Sequence, residues 1–259
     1  MTISFLAALG ERPAFQIYWL SCGSRPVKED TRGTIARIEG ELVKKIIEGL
    51  SKFQKEVFPK HQDLFSELAS GQRPEALLIT CSDSRIDPSL ITQSKPGDLF
   101  IVRNAGNIVP AYGKAVGGVT ATIEYAIMAL KVKDIIICGH SDCGAMGGLL
   151  YPERVRHMKN VASWLRHGEP ARLVVQQRYG HLSGDRLLLA LTEQNVLAQL
   201  NNLRTHPSVA AGISSQNLRL HGWVYDIATG RVSAFDAAAD QFTPLRHVAA
   251  NASGTKAAP

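Results

Sequence analysis

The sequence of 259 residues predicts an α/β protein with a mainly parallel β-sheet that is flanked by helices. Two short apolar runs, "ALLIT" at 76–80 and "DIIICGH" at 134–140, have the length and composition of buried strands. The segments around them are longer and repeat their apolar residues at the spacing of a helix face. Strands that alternate with helices are typical of a parallel sheet.

The predicted elements follow one another in a regular order. Helices are expected at 43–58, 61–69, 119–132, 158–168 and 187–204, with a short one within 141–150 and another at 88–93. In this short helix Asp87 is suited to cap the first turn and Pro88 to open it. The remaining strands are expected at 97–103 and on both sides of the turn "ATG" at 228–230. The continuous apolar run at 134–140 indicates a central strand that is covered on both faces.

The chain is expected to hold one domain, residues 43–247, between two arms. Residues 1–42 show no clear pattern, and "SCGSRPVKEDTRG" at 21–33 is polar and rich in turn residues. We therefore expect an N-terminal extension that is disordered, or an artefact of start-site assignment with Val43 as the true start. Residues 248–259 are expected to form a disordered tail.

Composition and charge exclude several classes of protein. No apolar run reaches the roughly 18–20 residues of a membrane span, and the opening segment lacks the basic region of a signal peptide. The net charge of +6 comes from scattered lysines and arginines, so neither a membrane nor a nucleic-acid partner is expected. Four cysteines are too few for a disulfide scaffold in a chain of this length. A cytoplasmic protein that uses thiols for metal binding or catalysis is the better interpretation.

Two predicted strand ends carry the reactive side chains. Cys81, Asp83 and Arg85 directly follow the strand at 76–80, while His140 and Cys143 follow the strand at 134–140. Because the carboxyl ends of parallel strands meet at one edge of a sheet, these side chains can converge. Two thiolates and one imidazole form a zinc ligand set, and three protein ligands leave the position for water that catalytic zinc sites require.

Other interpretations of these residues stay open at this point. Cys138 fits a small buried apolar residue within its strand, although it competes with Cys143 as a ligand. Cys22 lies in the arm, and His221 fits a packed or surface histidine. A purely structural zinc site normally has a fourth Cys or His, and no such residue is obvious nearby. Without the adjacent cysteine, Asp83 and Arg85 would be an ordinary surface ion pair.

Six motifs together resemble those of the β-class carbonic anhydrases. They are "CSDSR", "GDLFIVRNAGN", "IEYAIMALKV", "IICGHSDCGAM", "EQNVLAQLNNLRTHPSV" and "LHGWVYDIATG". The resemblance covers about residues 43–247 and looks closest to the bacterial branch found beside cyanate-degrading enzymes. It implies an α/β fold and the zinc-dependent, reversible hydration of carbon dioxide to bicarbonate and a proton.

The resemblance also implies a role for particular residues. It implies one zinc per subunit, held by Cys81, His140 and Cys143, and a catalytic dyad formed by Asp83 and Arg85. An ionised Asp83 only accepts hydrogen bonds and so orients the attacking oxygen, while Arg85 holds it ionised. The implied substrate pocket is lined by Gln72, Phe100, Ala105 and Tyr125. In the family the glutamine comes from a neighbouring subunit, which implies a homo-oligomer, either a dimer or a dimer of dimers.

Several expectations remain alternatives at the level of sequence. Gly117 and Gly118 either let the backbone approach the substrate or serve a plain turn. Hydrolysis of carbonyl sulfide or carbon disulfide on the same scaffold, or a non-catalytic zinc-stabilised binding protein, are the other candidate functions. Some β-class enzymes close their site when the aspartate binds zinc, helped by a bicarbonate pocket containing a tryptophan. Leu78 takes that position here and only Arg103 of the pocket is present, so we expect Asp83 to pair with Arg85.

Overall fold

The computed structural model describes residues 41–115 and 117–245. The predictions for residues 1–40 and 246–259 lie outside this part of the chain. The described residues belong to two compact units that divide after Gln62. In the first unit, α1 (Glu41–Lys52) continues into a π-helical turn (Phe53–Val57) and a 3₁₀ turn (Phe58–His61). The helix predicted at 43–58 is thus present but changes its winding at Phe53.

The sheet of the second unit has six strands in the order β2-β1-β3-β4-β5-β6. The strands are β1 (Ala76–Cys81), β2 (Leu99–Asn104), β3 (Asp134–His140), β4 (Arg219–Tyr225), β5 (Val232–Asp236) and β6 (Gln241–Pro244). Strands β1 to β4 are parallel, and β5 and β6 are antiparallel to their neighbours. The predicted α/β class with a mainly parallel sheet is therefore confirmed, as is the central position of β3.

Helices cover the sheet. They are α2 (Gln62–Ala69), α3 (Pro88–Thr92), α4 (Gly118–Met128), α5 (Gly144–Leu150), α6 (Lys159–Leu165), α7 (Glu169–Arg178), α8 (Gly184–Arg204) and α9 (Pro207–Ser214). The predicted cap of α3 is confirmed, because Asp87 accepts a hydrogen bond of 3.1 Å from the Leu90 amide and Pro88 is the first helical residue. Helices α7 and α9 and strand β6 were not predicted from the sequence.

The predicted continuation of α4 to residue 132 is wrong. The helix ends at Met128, and Lys131 has a φ of 56°, in the left-handed region. The Val132 amide then donates to the Ala126 carbonyl at 3.1 Å, which gives one of the last helical carbonyls a partner. The turn directs the chain straight into β3.

The main core lies between the sheet and α8. Leu77, Ile79, Ile135 and Ile137 are fully buried in it. Gly222 lets α8 approach β4 closely, because a Cβ atom there would lie 2.8 Å from a methyl group of Val196. Among the described helices, none combines the length and the apolar character that crossing a membrane requires.

The close contact of α8 with β4 gives a first testable prediction. Gly222→Ala should lower the free energy of unfolding by about 1–3 kcal/mol, because an added methyl overpacks a core without free space. Chemical denaturation of the purified protein measures this loss. Gly118→Ala, at the first residue of α4, is the control, since a Cβ atom there meets nothing within 4 Å and alanine favours a helix. An equal response of both variants would contradict the tight packing at Gly222.

Candidate metal centre

The register of two parallel strands places three buried side chains at one edge of the sheet. Thr80 of β1 pairs with Cys138 of β3, so Cys81 and His140 both lie at the carboxyl ends of adjacent strands. The loop after β3 ends at Cys143, which is the N-cap residue of α5. Cys81, His140 and Cys143 are 5%, 1% and 1% exposed. The sequence-predicted ligand residues are thus brought together.

The distances within this cluster fit a tetrahedral metal ion. The Sγ atoms of Cys81 and Cys143 are 3.9 Å apart, and all three candidate ligand atoms lie within 4.8 Å of one another. Two thiolates bound to tetrahedral zinc at about 2.3 Å would be about 3.8 Å apart. The cluster therefore matches the donor set and spacing of a zinc site.

The orientation of His140 supports the same conclusion. Its Nδ1 atom lies 2.9 Å from the Ser141 carbonyl oxygen, so Nδ1 carries the proton and donates it. The Nε2 atom is then left with a lone pair, and it is buried without a hydrogen-bond partner among the residues that the structure describes. A buried polar atom without a partner is costly, and a metal ion facing the two thiols would satisfy it.

The two thiols share protons unequally. A hydrogen bond from Cys143 is the largest cause that lowers the pKa of Cys81, and the Gly106 amide also contributes. The same hydrogen bond raises the pKa of Cys143. The pair thus loses one proton readily and keeps the other. A bound cation would displace the second proton, since metal ligation requires thiolates.

Asp83 and Arg85 form a bidentate ion pair beside the cluster. Arg85 Nε donates to Asp83 Oδ1 at 2.9 Å and Nη2 donates to Oδ2 at 2.8 Å. These hydrogen bonds hold the pKa of Asp83 below its usual range. Asp83 Oδ2 also lies 3.9 Å from His140 Nε2, so the carboxylate borders the candidate metal position. The pairing of Asp83 with Arg85 expected from the sequence is present.

Arg103 holds the loop that carries Asp83. Its Nε donates to the Cys81 carbonyl at 3.0 Å, and its Nη2 donates to the Asp83 carbonyl at 2.7 Å. Both contacts reach from β2 to the backbone after β1. The guanidinium therefore fixes the path of the loop, a role that the sequence did not reveal.

Buried polar side chains of α8 hold the loop that follows β2. Asn195 Nδ2 donates to the Gly106 carbonyl at 3.0 Å, and Gln199 Oε1 accepts from the Val109 amide at 2.9 Å. The loop in turn places the Gly106 amide 3.4 Å from the Cys81 sulfur. The sequence analysis missed this support. Polar residues repeating at positions 195, 199 and 202 of an otherwise apolar helix face were the available signal.

The remaining cysteine and histidine candidates lie elsewhere. Cys138 packs with Leu78 and Ile136 in a separate apolar cluster, and burial raises its pKa to about 12. It is thus a neutral buried thiol, as the first interpretation of its strand position predicted. His221 Nε2 lies 2.7 Å from Asp134 Oδ1 at the opposite end of β3. Cys22 is outside the described residues.

Of the expected pocket residues, only Ala105 lies near the cluster. It precedes Gly106, and its carbonyl accepts a hydrogen bond of 2.9 Å from Trp164 Nε1. Phe100 and Tyr125 form a ring pair with centroids 6.1 Å apart. Phe100 pairs with Leu77, however, and Asn104 pairs with Cys81, so Phe100 lies four residues down its strand. This corresponds to a distance of about 13 Å from the cluster.

The other expected pocket residues lie on loops and helix starts. Gln72 lies before β1, at the end of the strand opposite to Cys81, and is exposed. Gly117 is the N-cap of α4 with extended backbone, and Gly118 is its first residue. Gly117 is extended and Gly118 is helical, so the two alternatives, an approach to the substrate or a plain turn, stay predictions.

Comparisons with known proteins show the family of this chain. Residues 76–232 match the family described as carbonic anhydrase. A carbonic anhydrase of Pseudomonas aeruginosa is 50% identical over 200 residues, which cover 77% of this chain and 90% of that protein. The structure of the β-carbonic anhydrase CcaA superimposes with a TM-score of 0.78 at 47% identity, over 79% of this chain and 100% of that one.

A second solved structure is more distant but has the same fold. A tetrameric β-carbonic anhydrase from Sordaria macrospora is 31% identical, with a TM-score of 0.68, over 75% of this chain and 97% of that one. Fold, site and sequence therefore agree: the chain belongs to the β-class carbonic anhydrase family.

The cluster gives a second prediction, for metal content. The wild-type protein should contain one zinc per subunit by elemental analysis, and Cys81→Ser, His140→Ala and Cys143→Ser should each lose it. Cys138→Ser should retain it with reduced stability, because the hydroxyl is placed among apolar side chains. Zinc loss in Cys138→Ser with retention in Cys143→Ser would show that the wrong cysteine has been assigned.

Proposed function

We propose that this chain binds one zinc ion through Cys81, His140 and Cys143 and uses Asp83 and Arg85 in catalysis at that site. The reaction follows from membership of the family: the chain is a carbonate dehydratase, which converts carbon dioxide and water reversibly to bicarbonate and a proton. The observation that carries the proposal is the buried His140 Nε2 atom, which lies beside two thiols and has no hydrogen-bond partner in the described part of the chain.

Zinc, when bound, supplies a Lewis acid that lowers the pKa of water enough for nucleophilic attack near neutral pH. The protein's own contribution is the donor set and its surroundings. Three protein donors leave one tetrahedral position open, as in catalytic rather than structural zinc sites. The Ser141 carbonyl fixes the tautomer of His140, and the Gly106 amide fixes the sulfur of Cys81.

Asp83 acts by orientation. As an ionised carboxylate it only accepts hydrogen bonds, so it selects a neighbouring group that still carries a proton and holds that group in one direction. An ordinary aspartate is already ionised at pH 7, with a pKa of about 3.9. Arg85 is therefore not needed to keep Asp83 charged. Its bidentate contact fixes the direction of the carboxylate instead.

We propose that the working unit is a homo-oligomer of at least two subunits. Gln72, Phe100 and Tyr125 lie towards the opposite end of β1 and β2 from Cys81, so they can line a substrate pocket only if a second subunit supplies them. Helix α1 also exposes an apolar stripe, with Leu42 at 72%, Ile46 at 56% and Leu50 at 57% exposure. A similar enzyme of known structure is tetrameric.

We place the enzyme in the cytoplasm and in the bacterial branch associated with cyanate degradation. A reducing compartment suits a site whose two thiols lie only 3.9 Å apart and must stay free to bind metal. The branch rests on the resemblance of the motifs alone. Loss of growth on cyanate in a strain that lacks this gene would support it.

The function gives a third prediction, for CO₂ hydration measured by stopped flow. Zinc-loaded wild-type protein should be active, and Asp83→Asn should lower kcat about 10²-fold without loss of zinc, because an amide can donate and loses the orientation. Absence of activity in zinc-loaded wild type, with turnover of carbonyl sulfide, would favour the hydrolase alternative.

The pH profile of the same variant is part of this test. The pKa of Asp83 lies below its usual range, so the carboxyl is ionised at every pH from mildly acidic upward. A midpoint in the neutral or alkaline range therefore belongs to another group. Asp83→Asn should lower the plateau and keep the midpoint, displaced only towards lower pH because a nearby negative charge is lost. Disappearance of the midpoint in this variant would contradict the assignment.

A fourth prediction concerns the oligomer. Ile46→Asp should weaken self-association roughly 30-fold, equivalent to the loss of about 2 kcal/mol of apolar burial, and should reduce activity at low protein concentration. Sedimentation equilibrium measures the association. Lys44→Asp, about 160° around the helix from Ile46, is the control. Association of Ile46→Asp at wild-type strength would exclude the α1 stripe from the interface.

A further inference from the structure

The guanidinium of Arg85 makes a second set of contacts, to the loop between β3 and α5. Its Nη1 donates to Asp142 Oδ2 at 2.8 Å, and its Nη2 donates to the Asp142 carbonyl oxygen at 2.9 Å. Asp142 lies between the candidate ligands His140 and Cys143 in the sequence. Arg85 therefore connects the loop after β1 with the loop after β3.

We propose that Asp142 is a positioning residue that fixes Arg85 and, through it, Asp83. This inference rests on the proposed function, in which the direction of the Asp83 carboxylate matters. Nε and Nη2 of Arg85 hold Asp83, and Nη1 holds Asp142, so all three guanidinium nitrogens are engaged. A planar guanidinium that donates hydrogen bonds on two sides cannot rotate about its side-chain torsion angles without breaking one set of them.

The backbone of Asp142 is shaped for this contact. Its φ of 53° lies in the left-handed region, which aspartate and asparagine tolerate better than most residues. This turn directs both the carboxylate and the carbonyl of one residue towards Arg85. The result is a contact from two acceptors that are fixed relative to each other.

Ser141, which precedes Asp142 in this loop, makes different contacts. Ser141 accepts from His140 through its carbonyl, and its Oγ accepts from the Ile227 amide at 2.9 Å. These contacts hold the ligand histidine and anchor the loop to the chain after β4. The Asp142 side chain takes no part in either of them. Its removal should therefore affect Arg85 without releasing the candidate metal ligands.

The solvent exposure of Asp142 and Arg85 indicates that their contact contributes little to folding stability. The Asp142 side chain is 79% exposed, and that of Arg85 is 43% exposed. Exposed ion pairs add little to stability. The contribution of Asp142 should consequently appear in catalysis rather than in the unfolding transition.

The test uses Asp142→Asn, which keeps the shape and the backbone conformation and removes the charge. In zinc-loaded enzyme, kcat for CO₂ hydration should fall about two- to fivefold, the range expected for an exposed charge pair. KM and zinc content should stay at the wild-type values. In an Arg85→Ala background the same substitution should have no further effect, because Asp142 acts through Arg85.

Two further variants complete the design. Asp134→Asn removes an equally short pair, 2.7 Å to Arg219, at the other end of β3 and should leave kcat unchanged. Asp142→Gly also tolerates the left-handed backbone but removes the side-chain acceptor as well as the charge, so it should lower kcat at least as far as Asp142→Asn.

Three outcomes would overturn the role of Asp142. They are a wild-type kcat in both Asp142 variants, a full additional loss in the Arg85→Ala background, and a loss of activity that parallels loss of zinc. Inactive zinc-loaded wild-type protein would instead overturn the proposed function itself.

Discussion

The parallel pairing of β1 with β3 is the constraint on which the site depends. Thr80 pairs with Cys138, and the strands end within two residues of each other. Side chains alternate along a strand, so a slip of one residue would turn Cys81 to the other face of the sheet. The buried side chains of Leu77, Ile79, Ile135 and Ile137 oppose such a slip, since it would move them out of the core. The apolar core thus sets the position of the metal cluster.

Strand register alone does not fix the loops. Polar contacts do this, and they are buried at α8 and nearer the surface at Arg103. Asn195 and Gln199 of α8 hold the loop after β2, and Arg103 holds the loop after β1. A buried polar group left without its partner costs more free energy than the hydrogen bond itself contributes. Loop conformations that break these hydrogen bonds are therefore unfavourable. The Gly106 amide and the Asp83 carboxylate are consequently held in place before any substrate arrives.

The sequence could predict the parts of the site that are close together along the chain. The α/β class, the two strand ends and the group of Cys81, His140 and Cys143 followed from strand patterns and from the rule that parallel strands end at one edge. The support from α8 joins residues about 90 positions apart, and no local pattern predicts such partners. Asp142 was visible in "HSDC", but its partner Arg85 lies 57 positions away. The end of α4 depended on the left-handed turn at Lys131, which no glycine marks.

Burial decreases steadily from the metal cluster to the surface, and this gradient explains why the dyad needs two anchors. The candidate ligands are almost fully buried, while the side chains of Asp83, Arg85 and Asp142 are 16%, 43% and 79% exposed. Near water, screening weakens the attraction of one charge pair, so the charge of Arg85 alone would hold Asp83 only loosely. Hydrogen bonds from one rigid plane to two separate loops restrict direction even where the charge attraction is weak. Asp83 and Arg85 are therefore oriented by directional hydrogen bonds, whereas Cys81, His140 and Cys143 are positioned by the packing around them.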